Sequence, residues 1–231
     1  MSAETPRERP ILFNDQMVRA ILEGRKTVTR RAVKGLQIPT EDKTTPHEGL
    51  RWSALGQRHL RYGFNVFGST EEECAHELAR CGICPFGKPG DRLWVRETWG
   101  LQVRSYGGGA GEFIVYRATN PDAIYCRSSE GREYPVKWKP SIHMHRHSSR
   151  ILLEITAVRI ERLQDISEEQ ALAEGVRGEP CDHARQACAD IGCWGDTAKG
   201  AFGFLWESLN GEGSWAANPW VWVVEFKRVT P

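Results

Sequence analysis

The sequence predicts an α+β fold: a small β-barrel with peripheral helices. Three observations lead there. A strand, helix, strand order opens the chain. Alternating β-branched and aromatic runs fill its middle and its end. Two helix signatures with caps stand between the last of these runs.

Ile11-Leu12-Phe13 reads as the first strand. Asn14 is positioned as the N-cap of a helix whose apolar face is Met17, Val18, Ile21 and Leu22, and Gly24 closes it as a C′ residue. The β-branched run Thr27-Val28-Thr29 is the next strand. Residues 33–85 are mixed in charge and rich in turn formers, and read as an irregular insertion. Pro89-Gly90-Asp91 is a turn signal, followed by an alternating strand, Leu93 to Trp99. Gly107-Gly108-Gly109 marks a loop, Phe113 to Tyr116 a strand, and Arg150 to Leu163 one bent strand or two. Ser167-Glu168-Glu169-Gln170 is a capping-box pattern that opens a short helix ending at Gly175. Residues 176–200 read as a second irregular insertion. Phe202, Leu205, Trp206 and Leu209 have helical spacing, and Trp220 to Val229 is a final strand. The expected organisation is one domain over residues 1–231, with insertions at about 33–85 and 176–200.

Composition narrows the function. The 231 residues are 40% hydrophobic, enough for one sizeable core. There are 31 basic and 30 acidic residues, a net charge of +1, which argues against a strongly electrostatic nucleic-acid coat but leaves room for a local basic patch. The nine Trp supply core mass and stacking surface. Residues 1–10 are polar and no run of about 18 apolar residues follows, so neither a signal peptide nor a membrane-spanning helix is expected. Seven Cys without an export signal are expected to be reduced thiols, in a cytoplasmic protein.

The densest chemistry is Gly24-Arg25-Lys26-Thr27-Val28-Thr29-Arg30-Arg31. A Lys beside a Thr is the makings of an activated hydroxyl nucleophile. Arg25, Arg30 and Arg31 are forks for a phosphate or carbonyl oxygen, or a cationic field that lowers the lysine pKa. The competing interpretation is a structural ion pair and an ordinary strand threonine. A second group is Arg30, Arg31, Arg96 and Glu97, with Trp94 and Trp99. Strand alternation puts Trp94 and Arg96 on one face and Glu97 and Trp99 on the other. One face would then offer an aromatic ring and a guanidinium to a nucleobase, while at least one tryptophan belongs to the core.

These motifs resemble the ASCH family of the PUA-like superfold. The likeness rests on the segment from Gly24 to Arg31, on Pro89-Gly90-Asp91-x-Leu93-x-Val95, and on Ile166 to Gly175 with a final strand containing Val224-Glu225-Phe226. Arg9 to Phe13, Lys139 to Met144 and Asn218 to Trp222 resemble uncharacterised ASCH proteins of phages and prophages. The resemblance implies a nucleobase or modified-nucleoside pocket in a nucleic-acid-related protein, with RNA a more natural partner than DNA. Some small bacterial ASCH proteins hydrolyse the amide of N4-acetylcytidine with a Lys, a Thr and a Glu; matched by motif, these are Lys26, Thr29 and Glu174. Arg31 would then hold an oxyanion or phosphate, and Lys139 and Ser141 would line the pocket. A non-catalytic RNA or modified-base binding module and a ribonuclease remain as alternatives. This chain is about twice as long as those amidohydrolases.

That chemistry needs no cofactor. The weak metal signals are Cys81-x-x-Cys84, with Cys74 and His76 nearby, and the cluster Cys181, His183, Cys188 and Cys193; together, with Cys81, Cys84, Cys181 and Cys188 foremost, they offer four thiolates, or three thiolates and an imidazole, for a structural zinc site joining the two insertions. His143, His145 and His147 alternate among basic neighbours and read as a solvated, phosphate-contacting loop.

Overall fold

The computed structural model describes residues 5–44, 47–56, 63–81, 84–106, 109–176 and 197–229. The fold is mixed α+β, rich in strands with few helices. In chain order its elements are β1 (Glu8–Leu12), α1 (Asp15–Leu22), β2 (Val28–Ala32), β3 (Thr40–Glu41), β4 (Trp52–Leu55), β5 (Asn65–Gly68) and α2 (Glu71–Arg80). Then come β6 (Arg92–Arg96), β7 (Trp99–Tyr106), β8 (Gly109–Tyr116), β9 (Ile124–Arg127), β10 (Glu133–Pro135) and β11 (Leu152–Arg162). The chain ends with α3 (Glu168–Ala173), α4 (Ala198–Asn210) and β12 (Trp220–Val229). Two compact units divide these elements. Among the described residues, no pairing closes the strands of either unit into a barrel.

The first unit takes residues up to Gly24, Arg92–Glu154 and the residues after Lys227. β1 runs parallel to β6, from Glu8↔Arg92 to Leu12↔Arg96, and β6 pairs antiparallel with the start of β11. Alternation buries Leu93 and Val95 and leaves Arg92, Trp94 and Arg96 half-exposed on the other face. The strand stops at Arg96, short of the expected Trp99, which instead begins the β7–β8 hairpin. Helix α1 starts as its sequence predicts, with the Asn14 carboxamide oxygen accepting from the Met17 N–H at 2.8 Å. It ends at Gly24, whose φ of +76° suits a residue without Cβ.

The second unit takes Arg25–Asp91 and Ile155–Lys227. In it β12 lies between β11 and β2, with Val221↔Ala32 to Glu225↔Val28 as its antiparallel register to β2. Val28, Val221 and Val223 pack with Leu163, Ile166, Phe202, Trp206 and Trp215 in one apolar cluster. Ser167 and Gln170 form the expected capping box of α3. Thr197 caps α4, and the Glu168 carboxylate also accepts from the Ala198 N–H at 2.7 Å. A carboxylate at a helix N-terminus meets its unpaired N–H groups, so α3 and α4 are tied at their starts.

The expectation of irregular structure over 33–85 is corrected. That stretch holds a three-stranded sheet, β3-β4-β5, and the ten-residue α2. Thr70 caps α2, and Cys74, Ala75 and Leu78 are its buried stripe. Such a narrow stripe among three leading glutamates is a faint sequence signal, and strands of two to four residues show almost no period. The second expected insertion lies mostly outside the described residues.

Candidate functional site

Gly24 turns the chain out of α1 and leaves Arg25 to Thr27 as a short link into β2. The link is fastened at Thr27, whose N–H donates to Ala173 O at 2.9 Å and whose carbonyl accepts from the Phe226 N–H at 2.8 Å. Lys26 is therefore held under the C-terminus of α3, with only 2% of its surface exposed. Its ammonium donates to Val28 O at 2.9 Å, to Glu174 O at 2.8 Å and to Glu174 Oε2 at 2.6 Å. Glu174 is the C-cap of α3 and equally buried. Burial pushes the Lys26 pKa below its ordinary 10.5; the Glu174 carboxylate opposes the shift, and Arg31 and Arg30 reinforce it.

Arg30 extends this cluster. Its Nη1 reaches Glu174 Oε1 at 3.4 Å, its Nε and Nη2 grip Glu161 Oε1 at 3.1 and 2.5 Å, and Nη2 also donates to Gln170 Oε1 at 2.7 Å. The guanidinium lies 6.0 Å from the Phe202 ring centroid. A continuous chain of contacts thus runs Lys26, Glu174, Arg30, Gln170. Arg25 donates to Gly175 O at 2.8 Å, just past the same helix end. Burial also pushes the Arg31 guanidinium below its ordinary value, with Glu174 opposing.

Lys26 and Glu174, matched only by resemblance, are therefore brought together, and Arg30 joins them. Thr29 is buried on β2, but its hydroxyl is not among the acceptors of the Lys26 ammonium. The two-residue period of the strand puts Thr29 and Arg31 on the face opposite Val28 and Arg30. Beside the cluster opens a cleft of about 310 Å³, lined by Thr27, Val28, Thr156, Arg159, Glu169, Gln170, Ala173, Glu225 and Phe226. Its Arg159 is bonded to Glu161 Oε2 at 2.9 Å and to Glu225.

Trp94, Arg96, Glu97, Trp99, Lys139 and Ser141 belong to the other unit. Trp99 is core, as at least one tryptophan was expected to be; Trp94 is half-exposed with the Arg96 guanidinium 5.1 Å from its ring centroid. Arg96 Nε donates to Met144 O at 3.0 Å. Lys139 exchanges backbone hydrogen bonds with Trp99 and sets its ammonium 4.6 Å from that ring. Ser141 opens a 3₁₀ turn that ends at His143. His145 and His147 stack in parallel, 5.5 Å apart, on the exposed surface that follows. Glu97 is only 1% exposed, and Arg150 grips both its oxygens at 2.9 and 2.8 Å. Burial pushes this carboxyl above its ordinary range, against the pull of Arg150.

Sequence reading missed Glu161, Arg159 and Arg150 as partners, and took Gln170 only as a helix cap. Cys81 donates weakly to Glu77, Cys84 is buried, and Cys181, His183, Cys188 and Cys193 lie outside the described residues. Among the described residues, no group of three or more His, Cys, Asp or Glu is arranged to hold a metal. Burial pushes the Cys74 thiol up to about 11. No described helix is long and apolar enough to cross a membrane. No protein-family model, curated protein or solved structure matches the chain.

Proposed function

We propose that the protein is an amidohydrolase for an N-acylated, cytidine-type base, built as an ASCH protein on a PUA-like barrel to which β2, β11 and β12 contribute. One observation carries the proposal: a buried lysine with a depressed pKa, 2.6 Å from a buried carboxylate. Cations meant for a phosphate backbone stay in water, whereas Lys26 and Arg30 are inside. Passing one ammonium proton to Glu174 leaves a neutral amine with a lone pair, which is a base. That base takes the Thr29 hydroxyl proton as the oxygen attacks the acyl carbon, and Arg31 steadies the oxyanion. The carbon–nitrogen bond breaks, the base nitrogen leaves with the proton from Lys26, and water then cleaves the acyl-threonine to the free acid. Thr29 is bonded to no member of the cluster before substrate arrives, so a rotation of the Lys26 amine belongs to this mechanism. On this basis the protein works in the cytoplasm on nucleosides derived from RNA.

The test is mass spectrometry of N-acylated nucleosides, N4-acetylcytidine among them, incubated with the parent and with Lys26→Ala. Release of cytidine and acetate by the parent alone is expected. No turnover of any panel member by the parent would sink the proposal.

A second reading, direct nucleic-acid contact, is favoured by the first unit. Val136–Arg150 holds two Lys, two Arg and three His but no carboxylate, in a chain of net charge +1. Lys137, Lys139, His145 and His147 are exposed. Binding of a labelled single-stranded RNA of about 20 nucleotides should weaken when Lys137 and Lys139 become Ala. If both contact phosphate, the slope of log K against log salt should become shallower by about 1.4, at roughly 0.7 per contact. An unchanged slope would remove this surface from consideration.

A further inference from the structure

The geometry points to Gln170 as a fixed hydrogen-bond donor that selects the ligand of the 310 Å³ cleft by an uncharged carbonyl acceptor. A glutamine amide normally turns either end outward, because its oxygen and nitrogen are alike in shape. Here the choice is forced. The Gln170 Oε1 accepts from Arg30 Nη2 at 2.7 Å and from the Ser167 N–H at 3.3 Å. Both partners are donors only, and a guanidinium carries no acceptor. The atom turned to them must be the oxygen. The amide nitrogen then keeps its protons for the other side, where it finds no acceptor among the described residues, and Gln170 lines the cleft. Arg30 is itself held by Glu161 and Glu174, so the amide cannot turn without leaving a buried cation short of an acceptor.

The charges of the lining decide what the donor takes. Glu169 and Glu225 face one cation, Arg159, which is already bonded to Glu161 and Glu225. The balance is one negative charge in excess, which disfavours a phosphate or carboxylate. What fits is a neutral carbonyl acceptor, and the proposed nucleoside offers one in the C2 carbonyl of its pyrimidine. The inference rests on the proposed nucleoside reading for the identity of the ring, yet Lys26, Thr29, Arg31 and Glu174 are not among the described residues that line the cleft, so it concerns binding beside the cluster and not hydrolysis.

Gln170→Glu isolates the donor. The carboxylate still accepts from Arg30 and Ser167, but it turns an acceptor to the cleft. The probe is cytidine, which has the carbonyl and no acyl group to lose. Calorimetric titration of the parent is expected to show binding, with a loss of about 10-fold or more in Gln170→Glu at an unchanged melting temperature. Should that variant melt early, the parent titrated with 2-thiocytidine, whose sulfur is a poor acceptor, is expected to show the same loss. Equal affinity of parent and variant, or of cytidine and the thio analogue, overturns the assignment and leaves the hydrolytic proposal standing. No binding of cytidine by the parent also overturns it. Cytidine binding that depends on Gln170, in a protein that deacylates nothing, would leave the donor and remove only the hydrolysis.

Discussion

Glu174→Ala is expected to destabilise the protein by about 3–5 kcal/mol, the usual result of removing one partner from a buried ion pair. Glu174 meets two cations at once, Lys26 at 2.6 Å and Arg30 at 3.4 Å, and the side chains of both are fully covered. Without the carboxylate, Lys26 keeps the carbonyls of Val28 and Glu174 as acceptors, and Arg30 keeps Glu161 and Gln170. Dipoles satisfy hydrogen bonds but do not neutralise charge. For a chain of this size the loss corresponds to a fall in melting temperature of about 6–20 °C. Glu174→Gln should fall between parent and Ala, because the amide still accepts one hydrogen bond. Urea unfolding of the three proteins measures this, and a cost for Ala below about 1 kcal/mol would mean that Glu174 does not carry the balance of charge.

Lys26→Ala is expected to lower deacylation of N4-acetylcytidine by roughly 10²–10⁴-fold, the range for loss of a general base. The pH dependence has a definite sign. A base works only when neutral, so the parent rate should rise with pH through the depressed pKa of Lys26, below 10.5. Stability should move the same way. With the folded pKa below the unfolded one, the unfolded chain binds more protons between the two values, and stability rises with pH across that window. Below the folded pKa the cost of burying the ammonium is present in full. Urea midpoints of the parent and of Lys26→Met, compared at rising pH, read this directly. Parallel curves would place the Lys26 pKa at its ordinary value.

What the sequence made legible was local. Asn14 with Met17, the Ser167–Gln170 capping box, and the glycines at 24 and 175 are signals written within a few residues of the structure they govern. The strand expected from Leu93 to Trp99 held only to Arg96; Trp94 is half-exposed on β6, whereas the core Trp99 begins β7. The site is different in kind. Lys26 and Glu174 were juxtaposed only by resemblance, since 148 residues separate them. Arg30 and Glu161 are 131 residues apart, and no periodicity links them. Arg150 begins the stretch expected as a strand, and nothing in its spacing announces the bidentate grip on Glu97. The double duty of Gln170 was invisible for the opposite reason. Its local role as a helix cap already explained it.

The spacing of the buried cluster also bears on how the chain is made. Lys26 and Arg30 leave the ribosome long before Glu161 and Glu174 exist, and the 148 residues between Lys26 and Glu174 take about 7–30 s to add at about 5–20 residues per second. During that interval β2 has no carboxylate from this cluster and no β12 to pair with. The strand at the edge of this sheet thus keeps its charges unpaired by this cluster until Glu161, Glu174 and β12 arrive, and charges on a nascent edge protect it from pairing with the wrong neighbour.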